Sequence, residues 1–483
     1  MPRTRTDQPK TTARQLASVI KSARDIMRKD KGLSSDVDRL PMLTWIMFLK
    51  FLDDMERNHE VAATLQGKPY RPIIEAPYRW RDWAAQDDGI TGDALLDFVN
   101  YDEATRPDGT KGLGLFAYLR SLQATPDDPR PDVVATIFRE TFNRMRNGYL
   151  LRDVINKIDA INFASSEEIH TLSALYESML KEMRDAAGDA GEFYTPRPVV
   201  KLMVAATNPR LGEVIEDPAC GTGGFLAQSY EHMKAALGDE ARPEQYETLK
   251  SRTFHGREKD NAVYPIALAN LVLHEIDEPH IWHGNTLTGQ ETYGGLYAGA
   301  PALFDVVLMN PPFGGKEGKD ARTRFAYKTS ATQVLFLQHV IDSLKPGGRA
   351  GIVVDEGLLF RTNEKAFVQA KRKLLEDCDL WCIVSLPPGT FVNAGAGVKA
   401  NLLFFTRGGP TEKVWYYDLS DVKVTKKKPL TADRFEEFLR LLPGREDSER
   451  SWSVTRTELE ERGYDLKAVN PNRKRDEDTR TPG

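Results

Sequence analysis

Cysteine is scarce: Cys220, Cys378 and Cys382 are the three in 483 residues. Three thiols make no disulfide framework, and a reducing, cytoplasmic setting is expected. Cys378 and Cys382 flank the start of a strand and read as buried thiols. No apolar run approaches the ~18 residues of a membrane-spanning helix. The nearest, Met42–Leu49, is cut off by Lys50, Asp53 and Asp54 and reads as a buried helix, so no membrane association is expected. The first ten residues hold no apolar stretch of the kind a secretory signal requires. Positive charge is not in excess. A net charge of −5 and a pI of about 6.0 exclude a global nucleic-acid signature. Affinity for a polyanion must come from local basic patches or from a partner chain. His274, His280 and His283, with Glu275 and Asp277, match no zinc spacing, and no metal is expected. Internal repeats are also lacking.

What is there is length and a change of texture. At roughly 150 residues per domain the chain holds two or three domains. Residues 1–165 read as helical. Leu16, Val19, Ile20, Ala23, Ile26 and Met27 recur at helical spacing, followed by Trp45–Met55 and Val134–Met145. Between them, Gln66–Thr110 is rich in Pro, Asp and Gly and suggests long loops with short helices. Arg3, Arg5, Lys10, Arg14, Lys21, Arg24, Arg28 and Lys29 crowd the start; such a run is a solvated tail or a phosphate-contacting arm. A helix is expected from Glu168 to about Ala187.

From 166 to 410, apolar runs alternate with helical patterns. The candidate strands begin at Val214, Thr253, Phe304, Arg349, Leu380 and Asn401, and helices fit over Ala262–Leu273, Thr332–Leu344 and Glu364–Cys378. This alternation predicts a parallel, doubly wound α/β sheet. Lys345-Pro-Gly-Gly348 reads as a turn that ends a helix. Residues 411–483 are charged, broken by Pro429, Pro443 and Gly444, and read as a short appendage with one helix, Ala432–Leu442.

Val214-Ile-Glu-Asp-Pro-Ala-Cys-Gly-Thr-Gly-Gly-Phe-Leu226 is a strand, a glycine-rich turn and a helix start. Glycines permit the positive φ of such a turn and the close approach of a ligand, and the helix N-terminus offers free N–H groups. The order Asp-Pro, then Gly-Thr-Gly-Gly-Phe, departs from the G-x-G-x-x-G of dinucleotide folds. It resembles motif I of S-adenosyl-L-methionine-dependent methyltransferases that act on DNA amino groups. Asp217, Ala219, Gly221, Thr222, Gly223, Gly224 and Phe225 are the loop's candidate cofactor contacts. Glu258 falls at the end of the next strand, where a carboxylate can accept both ribose hydroxyls of a nucleoside. Asn285 follows the third strand, where its amide can accept the amino hydrogen of the cofactor adenine. Upstream, Gly191-Glu-Phe-Tyr-Thr-Pro196 resembles motif X, which adds Phe193, Tyr194 and Thr195.

Phe304-Asp-Val-Val-Leu-Met309 runs straight into Asn310-Pro311-Pro312-Phe313. Open α/β sheets bind ligands at the carboxyl ends of strands. An adenine amino group is a poor nucleophile because its lone pair is delocalised into the ring. The Asn310 side-chain oxygen and the Pro311 carbonyl can hold its two hydrogens and leave the lone pair free. Pro311 and Pro312 fix φ and remove amide donors. Phe313 offers a face for stacking on a base turned out of the duplex.

Together with Leu386-Pro-Pro-Gly-Thr-Phe391, these motifs resemble the modification subunit of Type I restriction–modification systems over about residues 10–475. The motif order is that of γ-class amino-methyltransferases. The resemblance implies a Rossmann-like sheet, an all-α N-terminal domain, a short helical C-terminal appendage and N6-methyladenine in double-stranded DNA as product. It also implies a complex of two such subunits with one specificity subunit, to which restriction endonuclease subunits add. With only residues 411–483 after the sheet, there is no room for two base-reading domains, so a partner is expected to choose the sequence. Two other functions share parts of this pattern. Protein glutamine methylation also uses Asn-Pro-Pro, but with Tyr and a shorter chain. A non-catalytic assembly subunit does not need Asn310 and the glycine loop intact.

Overall fold

The structure is a computed structural model that describes residues 13–86, 89–126, 128–161, 195–238, 241–391, 399–425, 428–467 and 469–472. The expected helix after Glu168 lies outside these residues, as do Phe193 and Tyr194.

The N-terminal region is built on two helices, Ala13–Met27 and Asp36–Leu65. Ile20, Ala23 and Met27 are buried, as the helical spacing requires. Ser35 opens the second helix with a capping box to Asp38, and Met42–Leu49 is buried within it. The helices Gly92–Asn100, Leu115–Ser121, Arg130–Arg139 and Gly148–Asp159 complete the layer. Two details differ from the sequence reading. A hairpin, β1 (Glu103–Thr105) and β2 (Lys111–Leu113), interrupts the all-α region. The helix expected over Val134–Met145 stops at Arg139, where the Arg120 guanidinium donates to the Phe138 and Thr141 carbonyls, both at 2.9 Å, and so takes acceptors that a continuing helix would use.

The region up to residue 410 carries β3 (Ile215–Asp217), β4 (Phe254–Glu258), β5 (His280–Asn285), β6 (Gln290–Tyr293), β7 (Phe304–Met309), β8 (Leu344–Asp355), β9 (Cys378–Ser385) and β10 (Ala400–Arg407). After it come β11 (Lys413–Asp418) and β12 (Ser451–Thr455). Among the described residues these ten strands form one sheet, ordered β12-β11-β9-β10-β8-β7-β3-β4-β5-β6. β3, β4, β5, β7 and β8 are parallel to their neighbours in that run, whereas β6 and β10 are antiparallel. The chain winds outward from β3 to β5 and then returns to β7 on the other side of β3. The carboxyl ends of β3 and β7 therefore flank a topological switch point, where ligands of such sheets bind.

Along β7 the side chains divide by pleat. Val306 and Leu308 join the core shared with the N-terminal helices, and Val307 and Met309 join the core beneath the helices Thr332–Ser343 and Lys365–Asp377. The first core is continuous with the N-terminal region, whose helices Asp36–Leu65 and Arg130–Arg139 pack on the helix Tyr264–Leu273.

The segment after 410 departs from a purely helical appendage. β11 pairs parallel to β9 and buries Val414, Trp415, Tyr416 and Tyr417, so the segment finishes the sheet and shares its core. The helix read over Ala432–Leu442 is a 3-10 turn, Ala432–Phe435, followed by the α-helix Glu436–Leu441. Lys345-Pro-Gly-Gly348 is likewise a bulge inside β8. Its register against β7 jumps from Phe304↔Leu344 to Val306↔Arg349, with Gly347 at φ 79°. Among the described residues, no helix is long and apolar enough to cross a membrane, and no group of three or more His, Cys, Asp and Glu is placed to hold a metal.

Candidate active site

A cleft opens over the carboxyl ends of β3, β4, β5 and β7. Thr195, Asp217, Ala219, Gly221, Thr222, Gly224, Phe225, Glu258, Asn285, Asn310 and Pro312 all line it. The sequence places these residues as far as 117 positions apart; the sheet brings them together. Phe193 and Tyr194 lie outside the described residues.

The glycine loop is held from below. Cys220 N–H donates to the Arg257 carbonyl at 2.9 Å, Gly223 N–H to Cys220 at 2.8 Å, and Asn270 Nδ2 to the Thr222 carbonyl at 2.8 Å. Gly223 sits at φ 77° with Leu271 3.3 Å from where a Cβ would stand, so the turn needs glycine there. The helix Gly224–Leu237 starts directly from the turn. On β4, a Cβ at Gly256 would meet Ile281 at 2.8 Å and Leu226 at 3.1 Å; its absence lets this helix settle on the sheet.

Glu258 is buried, and its two oxygens accept from Gly221 N–H (2.9 Å), Lys259 N–H (2.9 Å) and Asp260 N–H (2.8 Å). The carboxylate thus joins the glycine loop to the end of β4. Burial raises its pKa to about 7, against the pull of the three N–H donors. Asp217 accepts from Ala219 N–H at 3.1 Å, and burial holds its carboxyl well above the usual range, with Glu258 and Glu216 adding to the shift.

Asn285 departs from its expected use. Its Oδ1 accepts from the N–H groups of Leu287 (3.0 Å) and Thr288 (3.2 Å). That oxygen is spent on the loop's own turn, and the side chain offers a ligand its Nδ2 donor instead.

At the end of β7, Asn310 Nδ2 donates to Thr195 Oγ1 at 3.0 Å. The Asn310 Oδ1 is buried and has no partner. The Pro311 carbonyl also accepts no hydrogen bond among the described residues. A buried, unsatisfied acceptor costs about 1–3 kcal/mol, so the idle Asn310 Oδ1 marks a place where a donor is meant to arrive. Phe313 does not line the cleft; its ring meets Phe391 edge-on, centroids 5.4 Å apart at 77°. The Leu386–Phe391 motif thereby reaches the tetrapeptide.

The N-6 DNA methylase family model matches residues 167–479. The chain belongs to that family. The HsdM N-terminal domain model matches residues 16–158. The EcoEI methylase subunit of an Escherichia coli Type I restriction enzyme is 40% identical over 474 residues, covering 94% of this chain and 90% of that one. A modification subunit of a putative type I restriction enzyme from Vibrio vulnificus YJ016 superposes with a TM-score of 0.87 at 48% identity, covering 97% and 99%. A chain solved in an account of complex assembly and conformational transition of the type I R-M system gives 0.76 at 40% identity, covering 98% and 94%. The protein is a Type I methylase subunit and an adenine-specific DNA methyltransferase.

Sequence reading missed two cations of this methylase subunit. Arg197 lines the cleft and donates to the Gly224 carbonyl at 3.1 Å. Burial pushes its guanidinium down to about 9, so it is still charged at neutral pH. Its signal was its place, one residue past the Thr195-Pro196 motif. Arg257 also lines the cleft; its Nε donates to the fully buried Glu216 at 2.8 Å, and its guanidinium lies 5.4 Å and 5.0 Å from the Trp282 and Tyr297 rings. The discounted histidines have structural partners: His274 Nδ1 lies 2.8 Å from the Asn270 carbonyl, His280 contacts two carbonyls, and His283 stacks on Tyr264.

Proposed function

We propose that this methylase subunit transfers a methyl group from S-adenosyl-L-methionine directly to the N6 amino group of an adenine turned out of double-stranded DNA. The observation that carries the reading is the buried Asn310 Oδ1, which has no partner, on a residue that lines the cleft; the Pro311 carbonyl is the second acceptor of the proposal. An amino group has two hydrogens to give. Held between two acceptors in a site with no competing N–H donor from Pro311 or Pro312, its lone pair is directed away from the hydrogens. Thr195 fixes the amide so that its oxygen is the free end. Phe313, braced by Phe391, supplies a ring for the base to rest on.

The cleft fits the cofactor in its donor set. Glu258 is the acceptor for ribose hydroxyls, Asn285 Nδ2 and the Leu287 main chain border the base, and Arg197 is the cation for the methionine carboxylate. The cofactor, when bound, supplies an electrophilic methyl on a sulfonium. The protein contributes alignment, a dry acceptor pair and no covalent intermediate.

Glu258 gives a pH test. Its raised pKa means that the carboxyl is protonated below pH 7 and cannot serve as the charged acceptor. Cofactor affinity is expected to fall about tenfold from pH 8 to pH 6, a dependence that Glu258→Gln should flatten. Calorimetric titration reads both. For the unliganded fold the sign is opposite: a raised carboxyl pKa contributes stability below its ordinary value of 4.5 that is lost as pH rises through 7.

The sequence read by the enzyme is proposed to come from a specificity subunit, in a complex with a second copy of this chain and with restriction endonuclease subunits able to join. Labelled methyl transfer to a duplex is expected only when the specificity subunit is present. Site-specific transfer by this chain alone would contradict the division of labour.

A further inference from the structure

The segment between the tetrapeptide and the helix Thr332–Ser343 takes no part in the chemistry above. It leaves Phe313 and returns to Thr332 as a closed loop. Lys316 and Ala331 form an antiparallel bridge, Glu317 N–H donates to Ser330 at 2.8 Å, and Thr332 N–H donates to Gly315 at 3.2 Å. Its far side is pinned too. Arg324 Nη1 donates to the Leu287 carbonyl at 3.2 Å, on the rim of the cofactor cleft. Tyr327 N–H donates to Gln338 Oε1 at 2.9 Å, and Gln338 Nε2 donates back to the Tyr327 carbonyl at 3.2 Å. Ala321 is the buried residue of the short helix Lys319–Thr323. A loop tied at its base, rim and crown presents its side chains in fixed places.

What it presents is positive charge, in a chain whose net charge is negative. Lys316, Lys319, Arg322 and Lys328 are exposed, and none of them forms an ion pair among the described residues. The acids of the loop do not neutralise them: Glu317 is half-buried against the cleft, and Asp320 is exposed without a bridge. Some surface cations elsewhere do have carboxylate partners, as in Arg361–Glu364, Arg372–Glu376 and Arg456–Glu460. Unpaired cations grouped at the mouth of a catalytic cleft suit a polyanion that passes over it.

We propose that loop 314–331 is a phosphate clamp in which Lys316, Lys319, Arg322 and Lys328 seat the DNA backbone flanking the target adenine. The proposal rests on the seating of that adenine at Asn310, since the same turn of chain carries both. Phosphate contacts fix register without reading sequence, which suits a subunit whose partner does the reading.

The test uses the full complex with its specificity subunit and a duplex containing the recognised site. DNA affinity is measured across 50–200 mM salt for the wild type and for Lys316→Gln/Lys319→Gln/Lys328→Gln. Each lost phosphate contact lowers the slope of log K against log salt by about 0.9. The triple variant is expected to lose about two to three units of slope with cofactor affinity unchanged. Lys316→Arg/Lys319→Arg/Lys328→Arg should restore the slope, which a merely structural role would not require. An unchanged slope in the glutamine variant overturns the clamp. The two readings fail separately: a slope loss without adenine methylation by the wild type sinks the seating at Asn310 and keeps the clamp, whereas normal methylation with an unmoved slope does the reverse.

Discussion

Asn310→Ala is expected to lower methyl transfer by roughly 10²–10³-fold, with cofactor affinity changed by less than about threefold. The substitution removes a buried oxygen that bonds nothing in the unliganded protein, together with one Nδ2 bond to Thr195, so its main loss comes when substrate arrives. Such an interaction, made only with the reacting group, acts on the rate and hardly on the ground state. Single-turnover transfer and cofactor titration separate the two effects. Thr195→Val should act in the same direction but more weakly, because it frees the amide to rotate without deleting the acceptor. A cofactor affinity that collapses along with the rate would place Asn310 in cofactor binding instead.

Arg257→Met carries the largest expected cost to the fold. Glu216 is fully buried on β3, accepts from Arg257 Nε at 2.8 Å and from the Tyr297 hydroxyl at 2.9 Å, and leaves its Oε2 without a partner. Burial already raises its pKa. Removing the cation from a buried pair costs about 3–5 kcal/mol, because the surviving charge is stranded. The double variant Arg257→Met/Glu216→Leu should recover most of that stability, since no charge is then left behind. Chemical denaturation of the three proteins reads the result. A double variant as unstable as the single one would mean that packing against Trp282 and Tyr297, and not charge, is what Arg257 contributes.

The parts of the site that repeat local patterns were legible in the sequence. A strand ending in Asp217-Pro, a turn that needs positive φ at Gly223, and a strand that runs into Asn310-Pro-Pro are each written within a dozen residues. The parts that depend on distant partners were not. Thr195 tethers Asn310 across 115 positions, and nothing at either end announces the other. The position of Asn285 after the third strand suggests an acceptor, yet its own loop consumes that oxygen, because Asx turns depend on the backbone path and not on the residue alone. The C-terminal strands misled for a different reason. Val414-Trp-Tyr-Tyr417 is a buried run in a highly charged segment, so composition over the whole stretch concealed a strand that pairs with β9. Lys345-Pro-Gly-Gly348 carries turn residues, yet the chain uses them for a bulge within a strand.

That Asn310 holds the amino group of an adenine is tested most directly by identifying the product. The chain, assembled with the specificity subunit proposed for it, is given labelled S-adenosyl-L-methionine and a duplex bearing the recognised site, and the digested nucleosides are separated. N6-methyladenine is expected from the wild type and at least about a hundredfold less from Asn310→Ala. Label on cytosine, or undiminished N6-methyladenine from Asn310→Ala, would contradict it.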